Sequence, residues 1–462
     1  MAFTNLPAEL QIQIFGYLNR VDLKSIRGVC GVFRDNASPS LFERVLACAR
    51  YQALGSFQKV SLHSIYQTYV KQIVYDGSVY DESFATSENR YHKQTDMYPE
   101  LRDGLPWHKR ARFKRYQELF REQEEMRKDG VLLQTIARAL EWMPNVSSIV
   151  FSPGPRHIPL EAKLMRDLLP RNVVDVYAIS RLDRFDSYIE TSQHGFHHLI
   201  GAIYSANYSN IREFRVEAAR KAPSNPGIEF TVFVFEFPNP LHMEAGKYFF
   251  RHLHKLQMNL SFLTPGSGTR ISSGTNAIKQ LSNLAIMIAQ ARDLRELSFH
   301  ISRHSNLYKM YSYIIPPGHS IVPYLGLDLT WPNLRSLSFG GIYAVEKELV
   351  GLISRHKETL VEIEFTVCGL HSGTWANIVD EVLYNSGIDK FSLKQVNETM
   401  IDGRLFWGMS PDEMELWCYE GEMLVGPNGD RHFVGGSMLC YAIANSSRSI
   451  PPAAIRSMHN EI

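Results

Sequence analysis

The sequence predicts an α/β protein in three parts: a three-helix N-terminal unit over residues 1–45, an array of helix-and-strand units over 46–399, and a small β-rich cap with a tail over 400–462. Three observations predict it. Apolar residues near the N-terminus recur at helical spacing, short strand-like runs repeatedly follow amphipathic helices through the middle, and GPNGD at 426–430 supplies turn chemistry between two strand-like runs near the end. In the array, strands should run parallel on the inside of a curved solenoid with helices outside, because one helix and one strand cannot bury their apolar faces alone.

The N-terminal stretch LPAELQIQIFGYLNRVDLKSIRGVCGVF, residues 6–33, is unusually apolar for its length. Pro7 suits the first turn of a helix, with Asn5 upstream as N-cap, and the helix runs to about Leu18. At about 100° per residue the side chains of Tyr17, Leu10, Ile14, Leu18, Phe15 and Ile12 sweep an arc of about 220°, roughly twice what a surface helix needs. Asp22 is placed to cap a second helix carrying Ile26, Val29, Cys30, Phe33 and Ala37, and Ser38-Pro39 to open a third with Leu41, Phe42 and Val45. So small a unit has little core, so its surplus apolar surface predicts a docking face, with Pro7, Ile14, Phe15 and Leu18 unusually exposed.

The pattern L-P-x-E-L-x-x-x-I-F-x-Y-L-x-x-x-D-L-x-x-I-x-x-V-C-x-x-F, from Leu6 to Phe33, resembles the F-box motif. It departs from the family at Gly31, where a basic residue often follows the cysteine. The resemblance implies docking on the Skp adaptor of a cullin-RING ubiquitin ligase, with the rest of the chain capturing a target protein. Carried over by position, the adaptor-facing residues are drawn from Leu6, Pro7, Leu10, Ile14, Phe15, Leu18, Leu23, Val29 and Cys30. The expected function is therefore that of a noncatalytic substrate-recognition subunit of a Skp-cullin-F-box ligase. The alternatives are an F-box scaffold or regulator that works with the adaptor outside a cullin ligase, and an enzyme with a convergent site in its repeat domain.

Across the remainder, DLRELSF (293–299), NLRSLSF (333–339) and TLVEIEF (359–365) echo one another, with fainter copies in NVSSIVF (145–151), NIREFRV (210–216), YVKQIVY (69–75) and GIDKFSL (387–393). The template apolar-x-x-apolar-x-apolar alone is weak, since it arises by chance roughly forty times in a chain this apolar. Context strengthens it: TNAIKQLSNLAIMIAQA, EKELVGLISRHKE, GTWANIVDEVLYNS and VLLQTIARALEWMPN are amphipathic helices placed just before four of the runs. First apolar positions at Ile211, Leu253, Leu294, Leu334, Leu360 and Ile388 give spacings of 42, 41, 40, 26 and 28, within the leucine-rich-repeat range once insertions are allowed. F-box proteins often carry such repeats, and the resemblance implies them here. A closed or doubly wound α/β domain is the competing architecture, because the lengths vary and no asparagine ladder is visible. Residues 76–112, polar and aperiodic, predict a long loop, and SSRSIPPAAIRSMHNEI at 446–462 a frayed tail.

Lysine plus arginine at 49 against aspartate plus glutamate at 48 leaves a net charge of +1, so no global field draws the chain to nucleic acid or membrane. Five scattered cysteines without C-x-x-C spacing read as reduced thiols, no run approaches ~18 apolar residues, and early charges interrupt any export signal; cytosol or nucleus is expected. No cofactor or metal is expected: His194, His197 and His198 with His252 and His254 lack a completing acidic or thiol ligand. PGSGTRISSGTNA at 265–277 lacks the lysine of a phosphate loop, and no nucleophile elbow is present. HKRARFKR at 108–115 is followed by acidic residues at helical spacing and reads as a solvated helix, with a nuclear localisation signal or a phosphate-binding patch as the alternative.

Overall fold

The computed structural model describes residues 6–76, 80, 82–95, 106–152, 185–216, 230–237, 239–261, 274–301, 320–385, 387–398, 415–425 and 431–441. Two compact units divide the chain, one holding most of residues 1–228 with 237–252, the other 229–236, 253–264 and 269–462. Every strand-like run quoted from the sequence is a strand.

In the first unit, helices α1 (Ala8–Gly16), α2 (Arg20–Arg27) and α3 (Gly31–Phe42) lead directly into strand β1 (Arg44–Cys48). Then come α4 (Tyr51–Ser61), α5 (Tyr66–Tyr69), β2 (Gln72–Asp76), α6 (Glu82–Ala85), α7 (Glu88–Thr95), α8 (Pro106–Lys128), α9 (Val131–Trp142), β3 (Ser148–Ser152), α10 (Phe185–Ser205), β4 (Glu213–Val216) and α11 (Pro240–Phe250). The strands β1 to β4 pair in chain order, all parallel. Helix α9 forms because Leu132, Ile136, Ala139 and Leu140 recur at one helical face, all buried, and it ends at Met143-Pro144, where the next residue has no amide to donate. The expected array with an open inner face is corrected in this unit, where both faces of the sheet are covered, as in a doubly wound domain: Val74 and Val150 are as buried as Ile73, Tyr75, Ile149 and Phe151 on the opposite side.

Two expectations are corrected here. The described part of residues 76–112 is not a long loop: α6, α7 and the start of α8 lie within it, and Tyr80, Phe84, Tyr91, Phe113, Tyr116 and Leu119 form an aromatic core of their own. Periodicity hid it because α6 and α7 are short and the core joins them to residues of α8 more than twenty positions further on. The helical unit ends at Phe42, so Val45 belongs to the sheet rather than to a helix, and a boundary at 45 falls inside β1.

The second unit contains β5 (Phe230–Thr231), β6 (Lys255–Ser261), α12 (Gly274–Ile288), β7 (Glu296–Ile301), β8 (Ser336–Gly340), β9 (Tyr343–Val345), α13 (Glu346–Arg355), β10 (Glu362–Thr366), β11 (Gly369–Ser372), α14 (Trp375–Asn385), β12 (Lys390–Glu398), β13 (Glu415–Val425) and β14 (Arg431–Tyr441). Strands β6, β7, β8, β10 and β12 pair in chain order, parallel, with Leu297, Leu337, Ile363 and Phe391 in one row and Phe299, Phe339, Phe365 and Leu393 in the next. These rows are buried, while Ser298, Ser338, Glu364 and Ser392 between them are half-buried. One face is therefore packed and the other, among the described residues, only partly covered, and the packed face meets a helix where Phe365 lies 5.2 Å from Trp375 of α14. The strands β13 and β14 form an antiparallel hairpin beside β12, at the position expected of the cap. The expected tail lies outside the described residues.

One local device recurs at strand entry. The carbonyl just before a strand accepts both amides at the start of the next: Glu43 from Lys71 and Gln72, Lys71 from Ser147 and Ser148, Arg295 from Arg335 and Ser336, Val361 from Asp389 and Lys390. The first apolar residue of each run, such as Leu294, Leu334, Leu360 and Ile388, is fully buried two residues before its strand, which sets the register. Beyond β8 and β10 the chain turns through Gly341 and Val367, both at positive φ, into the short parallel pair β9 and β11 that the sequence did not announce. A side chain at Gly341 would stand 2.3 Å from the Ile301 carbonyl oxygen, so only glycine fits there.

His356 closes the end of α13. Its Nε2 accepts the Trp331 amide at 2.9 Å while Nδ1, 2.8 Å from the Leu352 carbonyl, holds the proton, so the ring must be neutral. Burial pushes its pKa below the ordinary histidine value. A lowered folded pKa means the contribution is complete above the unfolded value and is lost as pH falls through the folded one. Urea midpoints of the wild type should therefore fall more steeply between pH 7 and 5 than those of His356→Gln, which keeps a donor and an acceptor but does not titrate; parallel profiles would contradict this role.

Candidate functional site

The three N-terminal helices fold around Phe15, Leu23, Ala37 and Leu41, with Leu18, Ile26, Phe33 and Phe42 packed against them. Phe15 meets Phe33 edge to face at 5.7 Å between ring centres. Gln11 is buried and satisfied at both ends of its amide, donating to the Leu6 carbonyl at 2.9 Å and accepting from Asn36 at 3.0 Å. That tie draws the segment before α1 onto α3.

The N-cap of α2 is Asn19 rather than Asp22: its Oδ1 accepts from the amides of Val21 and Asp22 at 2.9 and 3.0 Å. The helix consequently ends at Arg27, and α3 starts at Gly31 and runs straight through Ser38-Pro39. Ser38 does not cap a new helix; its hydroxyl donates back to the Arg34 carbonyl at 2.6 Å. Pro39 lies within α3, between the buried Ser38 and Leu41.

The wide apolar arc of α1 divides into two stripes. Gln11, Phe15 and Leu18, at i, i+4 and i+7, turn inward, and Leu10, Ile14 and Tyr17, at the same spacing, turn outward with exposures of 46%, 40% and 84%. Of the residues carried over from the motif, Pro7, Leu10, Ile14, Val29 and Cys30 are exposed and Leu6 and Leu18 half-buried, whereas Phe15 and Leu23 lie in the core at 1% and 3% exposure. The expectation that Phe15 and Leu18 are unusually exposed is corrected accordingly: they lie on the stripe that turns toward Leu23, Ala37 and Leu41, and a unit of three short helices needs them to fill its centre. Tyr17, Val21 and Val32 are further exposed apolar residues of the unit that the motif did not carry over; helical periodicity from Leu10 selects Tyr17.

A second constellation lies on the partly covered face of the parallel sheet in the second unit. Ser338 Oγ stands 3.4 Å from His300 Nε2 and donates to Glu364 at 3.5 Å, and Lys394 bonds the other Glu364 oxygen. That lysine holds the Glu364 carboxyl below its ordinary value, while burial lowers His300. Serine, histidine and glutamate here do not make a nucleophilic triad, because the glutamate meets the serine and not the far nitrogen of the histidine; His300 Nδ1 faces the backbone at Gly340, where an added Cβ would stand 2.2 Å away. Cross-strand pairs Lys255–Glu296 at 2.5 Å and Lys390–Glu362 at 4.0 Å continue the polar character of this face.

The other sequence candidates remain structural. His197 stacks on Phe237 at 5.3 Å and lies 5.3 Å from His242, and among the described residues no group of three or more His, Cys, Asp or Glu side chains could hold a metal ion. In the basic run, Arg115 pairs with Glu118 at 3.0 Å and Arg110 lies 4.0 Å from Glu88, as on a solvated helix. Most of PGSGTRISSGTNA lies outside the described residues. Among those described, no helix is long and apolar enough to cross a membrane.

The three-helix unit packs one apolar stripe into its own core and leaves another partly in water. Residues 3–47 match the F-box-like family model, so the chain carries an N-terminal F-box-like domain, a noncatalytic adaptor module that binds a Skp-like partner. No curated protein matches the chain.

Proposed function

We propose that this chain is the substrate-recognition subunit of a Skp-cullin-F-box ubiquitin ligase in cytosol or nucleus. The F-box docks the Skp adaptor, and a leucine-rich-repeat-like array presents a target protein for ubiquitin transfer by the other subunits. The observation that carries the reading is the outward stripe Leu10, Ile14 and Tyr17 within a matched F-box-like domain. The repeat reading draws support from strands paired in chain order and register, and from the recurring two-amide strand entry. Target capture draws support from the polar face around His300, Ser338, Glu364 and Lys394, which offers both charges for complementary contacts. Affinity purification from the native cell tests it: a Skp adaptor and a cullin should both copurify, and one copurifying protein should live longer when the chain is deleted. Adaptor without cullin would assign the chain to the regulators that act outside the ligase.

A further inference from the structure

Outside the F-box, the turn between α4 and α5 exposes two large apolar side chains, Leu62 at 69% and Ile65 at 53%. The turn is not free to move away from the helical unit. Tyr66 stacks on Phe42 of α3 at 4.2 Å, and Arg27 at the end of α2 donates to its hydroxyl at 3.1 Å. The same guanidinium lies 4.9 Å from the Phe42 ring centre and 5.5 Å from that of Tyr66. His63 stacks on Tyr66 at 3.7 Å, and its Nδ1 accepts from the amides of Ile65 and Tyr66, both at 3.3 Å, which holds the turn in shape. Val29, exposed at 66% and carried over as adaptor-facing, lies two residues beyond Arg27.

We infer that the adaptor's footprint extends past the F-box onto Leu62 and Ile65, so that residues 62–66 form a second, apolar contact with the same Skp-like partner. The inference rests on the adaptor-docking reading above. Continuity argues for this occupant. A standard interface takes about 800 Å² from each partner, a patch roughly 30 Å across, which is large for three short helices alone. The Arg27–Tyr66 contact brings the turn beside the end of the motif that the adaptor covers. Because the aromatic stack fixes the turn in advance, Leu62 and Ile65 meet the partner with side-chain freedom to lose but little backbone left to order, and their contribution appears in the dissociation rate.

The test uses the full-length chain against the purified Skp adaptor of the same cell, with affinity and dissociation rate measured for Leu62→Asp/Ile65→Asp, for Ile14→Asp and for Leu241→Asp, an exposed leucine on α11. The expected result is about a tenfold to fiftyfold loss for the double variant, mostly through faster release, complete loss for Ile14→Asp and no change for Leu241→Asp. If Ile14→Asp abolishes binding while the double variant matches wild type, the extended footprint is overturned and the F-box reading stands. If Ile14→Asp also binds normally, the docking reading itself fails. Should the double variant not fold, hydrogen exchange of the wild type decides: amides of 62–69 must slow on adding adaptor, and unchanged exchange there overturns the inference.

Discussion

Leu10→Asp/Ile14→Asp should abolish adaptor binding and leave the chain folded with a modestly lower melt. The side chains are 46% and 40% exposed in the free chain, so a carboxylate there gives up only part of their burial and some helix propensity, whereas in a complex it would be desolvated among apolar groups at a cost of several kcal/mol, more than a hundredfold in affinity. Phe15→Ala makes the contrast. It should also lose binding, but by emptying the centre of the three-helix core, at about 3–5 kcal/mol, and circular dichroism should register the lost helix. Substituting Phe15 therefore tests the fold of the motif, and only the outward stripe tests the interface. Normal binding by the Leu10/Ile14 double variant would remove the docking assignment.

Removing residues 1–42 should leave a chain that melts cooperatively, keeps its target and no longer reaches the ligase, so that overexpressing it lengthens the target's half-life. The cut preserves β1, which pairs along its whole length with β2. It removes the partners of several junction contacts: Arg20, which donates to the Arg44 carbonyl at 3.2 Å, and Arg27 and Phe42, which hold Tyr66. The melt should therefore be lower than that of the intact protein. Removing residues 1–48 should do far more harm, because it takes away β1 and leaves β2 as a bare apolar edge with Ile73 and Tyr75 uncovered. A cut at 45 divides the strand. If the 1–42 deletion does not fold, the F-box is an integral part of the sheet's support; if it folds and shortens the target's half-life, recruitment runs through another surface.

Much of this was legible in the sequence for identifiable reasons. Strand runs such as DLRELSF and TLVEIEF each place two alternating apolar residues after a buried one, a pattern set by the pleat and by helix packing on one face, so their positions and parallel order could be read locally. The motif from Leu6 to Phe33 was likewise legible, since its spacing is local. The insertion was not: its core brings Tyr80, before α6, and Tyr91 of α7 onto Phe113 and Tyr116 of α8, more than twenty positions away, and no periodic window contains them. Helix ends near Asn19 and Ser38 were misplaced because several residues there can cap, and packing selects among them.

By itself the sequence determined which residues are apolar, at what period they recur and hence which segments are helix or strand, because those depend on neighbours within a few residues. Only the tertiary structure decided how the surplus on α1 is shared, with Phe15 taken inward and Leu10, Ile14 and Tyr17 left in water. It also decided that Val45 is sheet, and that the Leu62–Tyr66 turn is clamped to the helical unit by Arg27. An amphipathic arc shows how much surface seeks cover, but which part finds it depends on the volume that partners distant in the chain can fill.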